Sequence, residues 1–150
     1  DLAALFAADA LVERDVLGDV RYPDGTVRRV SGRIDRLVTA PDRLVVVDVK
    51  TDRTVPASAE AVPATYLGQL ALYRALVAPL ASGRPVRAAL LYTAGPRLLA
   101  VDAALPAGVE AAGRGDAGPL DASGGQTYVR ADAACGETDQ RGEDTCPPLP

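Results

Sequence analysis

The chain has 150 residues, 48% of them hydrophobic and 24% charged, which is enough apolar material for one domain with its own core. It contains no histidine, which excludes His-based catalytic triads, His zinc sites and a His general base. Two cysteines are too few for a four-thiolate metal site or a disulfide scaffold. No apolar run approaches the ~20 residues of a membrane span, and no signal-peptide pattern is visible, so we expect a soluble, intracellular protein. Methionine is absent even at position 1, and we interpret the chain as a fragment or a processed piece.

Charge and composition change along the chain. The net charge is −4, yet residues 101–150 hold 9 of the 20 acidic and only 3 of the 16 basic residues, together with 8 of the 14 glycines. Such a segment cannot easily bury enough apolar surface to offset the entropy lost on ordering it. We therefore predict a folded unit over residues 1–103 and an acidic, Gly- and Pro-rich loose tail over residues 104–150. The alternative is that Leu120 to Ala131 adds one more strand.

The first forty residues predict strands after a short helical start. Asp1 to Ala8 has the composition of a short helix or of its end, and Leu11 to Leu17 is a weak strand candidate. Tyr22-Pro23-Asp24-Gly25 carries Pro and Gly at positions typical of a β-turn. Val27 to Val38 alternates loosely between apolar and polar residues, which favours a second strand that folds back on the first.

The next sixty residues predict a mixed sheet with a packed helix. After a turn at Ala40–Arg43, the β-branched run Leu44 to Val49 is the strongest strand of the chain. Thr65 to about Ala78 repeats apolar residues at helical spacing. Val86 to Thr93 is another apolar strand, and Leu98 to Val101 pairs back on it as a hairpin. This order predicts an α/β fold, a mixed sheet with a flanking helix.

The turn at residues 40–43 predicts a register that brings two carboxylates together. If Ala40 opposes Arg43, then Asp35 opposes Asp48, with Cβ atoms ~4.5–5.5 Å apart. Lys50 lies two residues beyond Asp48 and therefore projects from the same face. We expect the opposite face to be a core face formed by Val45, Val47 and Val49 against Ile34 and Val38.

Opposed carboxylates suggest a metal site. Like charges across a sheet are destabilising, and a hard divalent cation with oxygen ligands would offset that cost. Mg²⁺, or Mn²⁺, held by Asp35, Asp48 and the backbone carbonyl of Val49 would polarise a phosphodiester and lower the pKa of a bound water. Lys50, the only lysine among 16 basic residues, would orient or deprotonate that water or stabilise charge on the phosphate. The alternative is an ordinary cross-strand ion pair between Asp35 and Lys50, and a one-residue slip in register would remove the site.

Three motifs stand in order along the chain: Gly32-Arg33-Ile34-Asp35, Val47-Asp48-Val49-Lys50-Thr51 and Gln69-Leu70-Ala71-Leu72-Tyr73. Each alone is a weak signal, but together they match Gly-x-apolar-Asp, Asp/Glu-x-Lys and Gln-x-x-x-Tyr. In this the chain resembles the RecB-type branch of the PD-(D/E)XK nucleases over about residues 10–101. The segments around the motifs look most like the C-terminal nuclease domain of AddA-type helicase–nuclease subunits.

The resemblance implies a restriction-endonuclease-like core and a Mg²⁺-dependent DNA exonuclease of double-strand break repair. In that family Asp35 and Asp48 would be metal ligands and Lys50 the catalytic lysine. Gln69 and Tyr73 would contact DNA or brace the active-site strand, and their i, i+4 spacing places them on one helical face. The family also uses a His or Glu on a preceding helix, which we expect upstream of residue 1, and Glu13 is a weak substitute.

The resemblance also implies partners and a location. The partners would be DNA, a helicase domain in the same full-length chain and a second nuclease subunit, with no membrane, in the cytoplasm at the nucleoid. The chain has no Walker A pattern, so any dependence on ATP would come from the helicase part. Two further hypotheses are a stand-alone RecB-like nuclease and an inactive relative that only binds DNA or a partner subunit. Six arginines are expected to surround the site and line phosphates or to form a solvated face: Arg28, Arg29, Arg33, Arg36, Arg43 and Arg53.

Overall fold

The computed structural model of the chain describes residues 10–112 and 129–130. The helix predicted over residues 1–8, both cysteines and most of the predicted tail lie outside the described residues. Within them the chain forms seven strands and one α-helix: β1 (Leu11–Arg21), β2 (Val27–Thr39), β3 (Leu44–Lys50), α1 (Ala64–Val77), β4 (Val86–Tyr92), β5 (Arg97–Ala100), β6 (Glu110–Ala111) and β7 (Val129–Arg130).

The strands form one mixed sheet, in the order β5-β4-β3-β2-β1-β6, with β7 also paired to β1. Strands β1, β2 and β3 are antiparallel neighbours, whereas β3 and β4 are parallel and are connected through α1. A parallel pair needs such a crossover, because a tight turn can join only antiparallel strands. The predicted α/β class, a mixed sheet with a flanking helix, is therefore confirmed.

Helix α1 follows the predicted span closely and packs one face on the sheet. Leu70, Tyr73, Leu76 and Val77 are buried, at the spacing of one helical stripe. A 3-10 turn, Ala78–Ala81, continues the helix and includes a proline. Ser82 and Gly83 then take positive φ angles of 51° and 82°, which stop the helix and turn the chain towards β4. No helix within the described part of the chain is long and apolar enough to span a membrane.

Two clusters of buried side chains lie on opposite faces of the sheet. The helix-side cluster lies under α1 and includes Val16, Ile34, Leu37, Leu44 and Val46. The outer cluster is smaller and comprises Val38, Val47, Ala89 and Leu91. Val45 and Val49 pack against the outer cluster, so β3 alternates between the two faces as predicted.

Strand β2 does not alternate regularly, and this corrects one prediction. Ile34 and Leu37 both pack in the helix-side cluster although they are three residues apart, so β2 changes sides between them. The irregularity lies across from Glu13 of β1, which has a φ of 48° and is missing from the β1–β2 register. The prediction that Ile34 shares a face with Val38 is wrong, because a strict two-residue period was assumed through this irregularity.

The described chain packs against the sheet beyond residue 104. Val101 and Leu105 are buried in the helix-side cluster. Residues Glu110–Ala111 then pair with the end of β1, and the Ala112 N–H donates to the Asp19 carbonyl at 2.8 Å. Two residues of the stretch weighed as an extra strand, Val129–Arg130, pair in parallel with β1. The sheet thus includes short pieces of the segment predicted as a loose tail, one of them within the stretch given as an alternative strand.

Candidate active site

The register predicted from the turn at residues 40–43 is confirmed. The Ala40 N–H donates to the Arg43 carbonyl at 2.9 Å, and β2 pairs with β3 from Thr39–Leu44 to Arg36–Val47. The ladder ends one pair before Asp35 and Asp48. There the Val49 N–H donates to Asp35 Oδ2 at 2.7 Å, so the Asp35 carboxylate accepts a hydrogen bond from the main chain of the neighbouring strand. The two carboxylates therefore meet where the strands separate.

Asp48 is the one buried charged residue of the part of the chain that the structure describes, with 5% of its surface exposed. Alternation along β3 directs it to the helix side, and Lys50 Nζ lies 2.6 Å from its Oδ2. The ammonium lies within hydrogen-bond distance of this oxygen, and the two groups form a close ion pair. Burial raises the pKa of the Asp48 carboxyl, and the nearby Asp35 carboxylate acts in the same direction, against the lowering effect of Lys50.

Lys50 is held by three groups. Besides Asp48, it donates a hydrogen bond to Gln69 Oε1 at 3.2 Å and lies 4.0 Å from the centre of the Tyr66 ring. The Tyr66 hydroxyl donates in turn to Asp52 Oδ2 at 3.0 Å. A cation on an aromatic face that also has a carboxylate and an amide oxygen as partners has little freedom to reorient. Helix α1 thus fixes the ammonium beside the carboxylates.

Gln69 and Tyr73 lie together on the sheet-facing side of α1, and the structure places them behind Lys50. Gln69 Nε2 donates to the Tyr73 hydroxyl at 3.0 Å, which orients the amide so that its oxygen faces Lys50. Tyr73 is only 6% exposed and packs over Gly32 of β2. A buried ring has little surface for DNA, so of the two roles weighed for this pair the contacts favour bracing.

Gly32 is needed for that packing. A Cβ on Gly32 would lie 2.6 Å from Tyr73 Cε1, closer than real Cβ contacts, and 3.1 Å from the Tyr73 hydroxyl oxygen. We expect Gly32→Ala to displace the ring, break its hydrogen bond to Gln69 and destabilise the fold by about 1–3 kcal/mol. Lys50 should lose support as well, because the Gln69 amide would no longer be oriented by Tyr73.

The matched control for Gly32→Ala is Gly68→Ala. Gly68 lies inside α1 with open space around its Cβ position. Alanine should stabilise the helix there by about 0.5–1 kcal/mol. Denaturant unfolding of both variants measures the two effects, and equal stabilities would refute the close contact at Gly32.

The raised pKa of Asp48 predicts a pH dependence of stability in metal-free protein. Because the folded-state pKa lies above the ordinary 3.8, the folded chain binds this proton more tightly than the unfolded chain. The resulting stability is present below the unfolded pKa and is lost as the pH rises through the folded pKa. Asp48→Asn removes this titration, so the variant should gain stability relative to the unmutated chain as the pH rises above the ordinary pKa of 3.8. Denaturant unfolding in EDTA measures it, and a pH-independent difference would contradict the raised pKa.

The donor set fits a cation that keeps part of its water shell. The described residues contain no group of three or more His, Cys, Asp or Glu side chains able to hold a metal. Asp35 and Asp48 therefore supply two carboxylates. The Val49 carbonyl is a candidate third ligand because Val49 lies between Asp48 and Lys50 in the sequence. Two features favour a cation here: the burial of the Asp48 carboxylate and the proximity of a second carboxylate. Mg²⁺ usually binds through one or two carboxylates with water completing the shell.

Four of the six arginines weighed for the site lie elsewhere on the exposed surface, as the alternative of a solvated face predicted. Arg33 pairs with Asp15 at 2.9 Å, and Arg29 pairs with Asp19 at 3.0 Å, both across β1 and β2. Alternation from the buried Val16 places these pairs on the face away from α1. Arg43 pairs with Asp42 in the exposed turn, and Arg28 lies over the Tyr22 ring. The expectation treated neighbours in sequence as neighbours in space, whereas a strand sends alternate side chains to opposite faces.

Tyr66, Gly32 and Tyr92 contribute to the site, and sequence analysis assigned them no role there. Tyr66 precedes Gln69 by three residues, so helical spacing alone could have indicated that both face Lys50. Tyr92 pairs with Lys50 in the parallel β3–β4 register and projects from the same face. That pairing depends on a strand 42 residues further along the chain, and no local pattern in the sequence predicts it.

Comparison with known proteins identifies the family of this chain. The family model described as "PD-(D/E)XK nuclease superfamily" matches residues 5–140. Among curated proteins there is no significant match. A solved structure described as "Crystal structure of SSO0001" is similar at 20% identity with a TM-score of 0.46. The similarity covers 66% of this chain and 44% of that one, so this chain spans less than half the length of that solved structure. Because the family model matches most of its length, the chain belongs to the PD-(D/E)XK nuclease superfamily.

Proposed function

We propose that this chain is the nuclease domain of a DNA-degrading enzyme and cleaves phosphodiester bonds with a divalent cation, Mg²⁺ or Mn²⁺. The observation that carries the proposal is the buried Asp48, whose Oδ2 faces the Lys50 ammonium at 2.6 Å beside a second carboxylate. An ion pair with a purely structural role would require neither the nearby Asp35 carboxylate nor the burial of Asp48. Membership of a nuclease superfamily supports the same conclusion.

The cation would be held by Asp35 and Asp48, with the Val49 carbonyl as a further ligand. When bound, it would neutralise charge on a phosphate oxygen and favour ionisation of a bound water. The two carboxylates and Lys50 carry a net charge of −1, so a divalent cation reverses the sign of the site. Asp35 is oriented for this by the Val49 N–H, whose hydrogen bond leaves the second carboxylate oxygen available.

Lys50 would act on the phosphate and on the attacking water. Hydrolysis forms a bond from water oxygen to phosphorus and breaks the bond to the leaving oxygen, which takes up a proton. Negative charge accumulates on the phosphoryl oxygens during this exchange, and a fixed ammonium stabilises it without reorganising. The contacts of Lys50 with Gln69 and the Tyr66 ring provide that fixation, while Tyr73 holds Gln69.

We further propose that the domain is an exonuclease within an AddA-type helicase–nuclease that acts in double-strand break repair. Its partners would be DNA, a helicase domain in the same full-length chain and a second nuclease subunit. The support is the order of the three motifs and the intact set of Asp35, Asp48 and Lys50. A stand-alone nuclease would need no helicase motifs elsewhere in the full-length protein, and an inactive relative would bind DNA without cutting it.

End dependence of cleavage tests the exonuclease part of the proposal. The full chain is incubated with a linear duplex labelled at one end and with a covalently closed circle of the same sequence. We expect Mg²⁺ or Mn²⁺ to support release of nucleotides from the linear duplex while the circle persists, and EDTA to stop the reaction. Equal cutting of the circle would indicate an endonuclease. DNA binding with no cutting under any divalent metal would favour the inactive relative.

A further inference from the structure

A pocket of about 570 Å³ opens beside Lys50, between the loop that follows β3 and the start of α1. Its walls include Asp52, Arg53, Val55 and Pro56 from the loop, with Tyr66 from α1 and Tyr92 from β4. The volume lies in the range of pockets that bind small molecules. Tyr66 joins the pocket to the candidate active site, because the same ring contacts the Lys50 ammonium.

Tyr92 gives the pocket a buried polar group without a partner. The residue is 1% exposed, and its hydroxyl oxygen forms no hydrogen bond with any described residue. A buried hydroxyl without a partner is costly, and a core position of this kind could be filled by Phe at no loss of packing. Tyr92 projects from the same face as Lys50, its partner in the β3–β4 register. The hydroxyl is therefore an unsatisfied polar group in the wall of the pocket, next to the candidate active site.

The loop that forms the outer wall is held in place. Arg97 of β5 donates to the carbonyls of Pro56 and Ala57 at 3.1 and 2.8 Å. At the other end of the loop, the Tyr66 hydroxyl donates to Asp52 at 3.0 Å. These contacts fix both ends of the wall, so the pocket is formed before a ligand arrives.

The lining matches the chemistry of one nucleotide. Val55, Pro56 and Pro63 present apolar surface suited to a base or a sugar. Arg53 is exposed at the pocket and can pair with a phosphate, while the Tyr92 hydroxyl can bond a polar edge of the base or sugar. Apolar walls with a few placed polar groups are typical of small-ligand sites.

We propose that this pocket binds the terminal nucleotide of a DNA strand, with the adjoining phosphodiester at Asp48 and Lys50. The inference rests on the proposed nuclease function. It names the residues through which the domain would recognise the end of a DNA strand. A pocket with room for about one nucleotide, next to the phosphodiester site, accommodates the last nucleotide of a strand. Tyr92 and Arg53 are the residues that would recognise that nucleotide.

Mononucleotide binding in EDTA tests the pocket without any cleavage. The full chain, labelled with ¹⁵N, is titrated with thymidine 5′-monophosphate and, separately, with thymidine. We expect amide shifts at residues 51–57 and 92–93. Tyr92→Phe should weaken binding of both compounds about three- to ten-fold, as expected for one lost hydrogen bond. The same variant should keep or raise the melting temperature, because the hydroxyl has no partner in the free protein.

Arg53→Ala and Arg43→Ala form a matched pair for the phosphate contact. Arg53→Ala should remove the preference for the monophosphate over thymidine, whereas Arg43→Ala, in the exposed turn at residues 40–43, should leave it unchanged. Unchanged affinities in both Tyr92→Phe and Arg53→Ala, or shifts away from the pocket, would overturn the inference. Mononucleotide binding without DNA cleavage would instead refute the nuclease proposal, while the proposal that the pocket binds a nucleotide would still hold.

Discussion

Asp48→Asn is expected to reduce DNA cleavage by at least about 10³-fold, because a metal ion contributes several kcal/mol of transition-state stabilisation. Asparagine keeps the shape of the side chain but loses the charge that a hard cation requires. The measurement is the initial rate on linear duplex DNA with Mg²⁺. Binding of Mn²⁺ by the same variant, followed by calorimetry, should weaken in parallel.

The control for Asp48→Asn is Asp42→Asn. Asp42 lies in the exposed turn between β2 and β3 and makes a loose ion pair with Arg43 at 3.5 Å. An exposed pair of this kind contributes at most about 1 kcal/mol, so cleavage and metal binding should be unchanged. If Asp48→Asn cut DNA at more than a tenth of the unmutated rate, Asp48 would not be an essential metal ligand.

Lys50→Arg is expected to lower cleavage by about 10²–10³-fold, the typical cost of one lost electrostatic donor. A planar guanidinium cannot reproduce the contacts that a compact ammonium makes with Asp48, Gln69 and the Tyr66 ring. A structural ion pair predicts the reverse, since arginine would replace lysine well in an ordinary salt bridge. Cleavage of linear duplex DNA by Lys50→Arg at the unmutated rate would therefore disprove the catalytic role of Lys50.

Lys50→Ala separates the role of Lys50 from that of the carboxylates. Removing a positive charge beside the cation site lowers repulsion, so Mn²⁺ affinity should be equal to or tighter than that of the unmutated chain. Cleavage should nevertheless be lost. Loss of both cleavage and Mn²⁺ binding would instead indicate that Lys50→Ala disrupts the fold around the site, which denaturant unfolding would reveal.

Much of the candidate site could be predicted because it depends on local chemistry. The turn at residues 40–43 determines which residues of β2 and β3 are opposed. Extending that register one pair past its last hydrogen-bonded residues predicts that Asp35 lies near Asp48, where the structure has it. The two-residue period of a strand predicts that Lys50 lies on the same face as Asp48. The period of a helix predicts that Gln69 and Tyr73 share one helical face. Each step uses neighbours that are at most a few residues apart or are joined by a tight turn.

The features that were missed depend on contacts distant in sequence or on local irregularity. The change of sides in β2 between Ile34 and Leu37 breaks the period that the prediction assumed. The close approach of Tyr73 to Gly32, and the pairing of Lys50 with Tyr92, join strands and helix across long loops. The pairing of residues 110–111 with β1 could not be predicted either, because a strand of two residues is too short to show a periodic pattern.

The most direct test of the account is a crystal structure of the chain soaked in Mn²⁺, with the anomalous signal used to locate the metal. The account predicts a peak between the Asp35 and Asp48 carboxylates, within ligand distance of both, with the Lys50 ammonium still bonded to Gln69. The same experiment on Asp48→Asn should show the peak reduced or absent. A peak elsewhere, or none at saturating Mn²⁺ with the Asp48–Lys50 ion pair intact, would contradict the metal site on which the proposed chemistry depends.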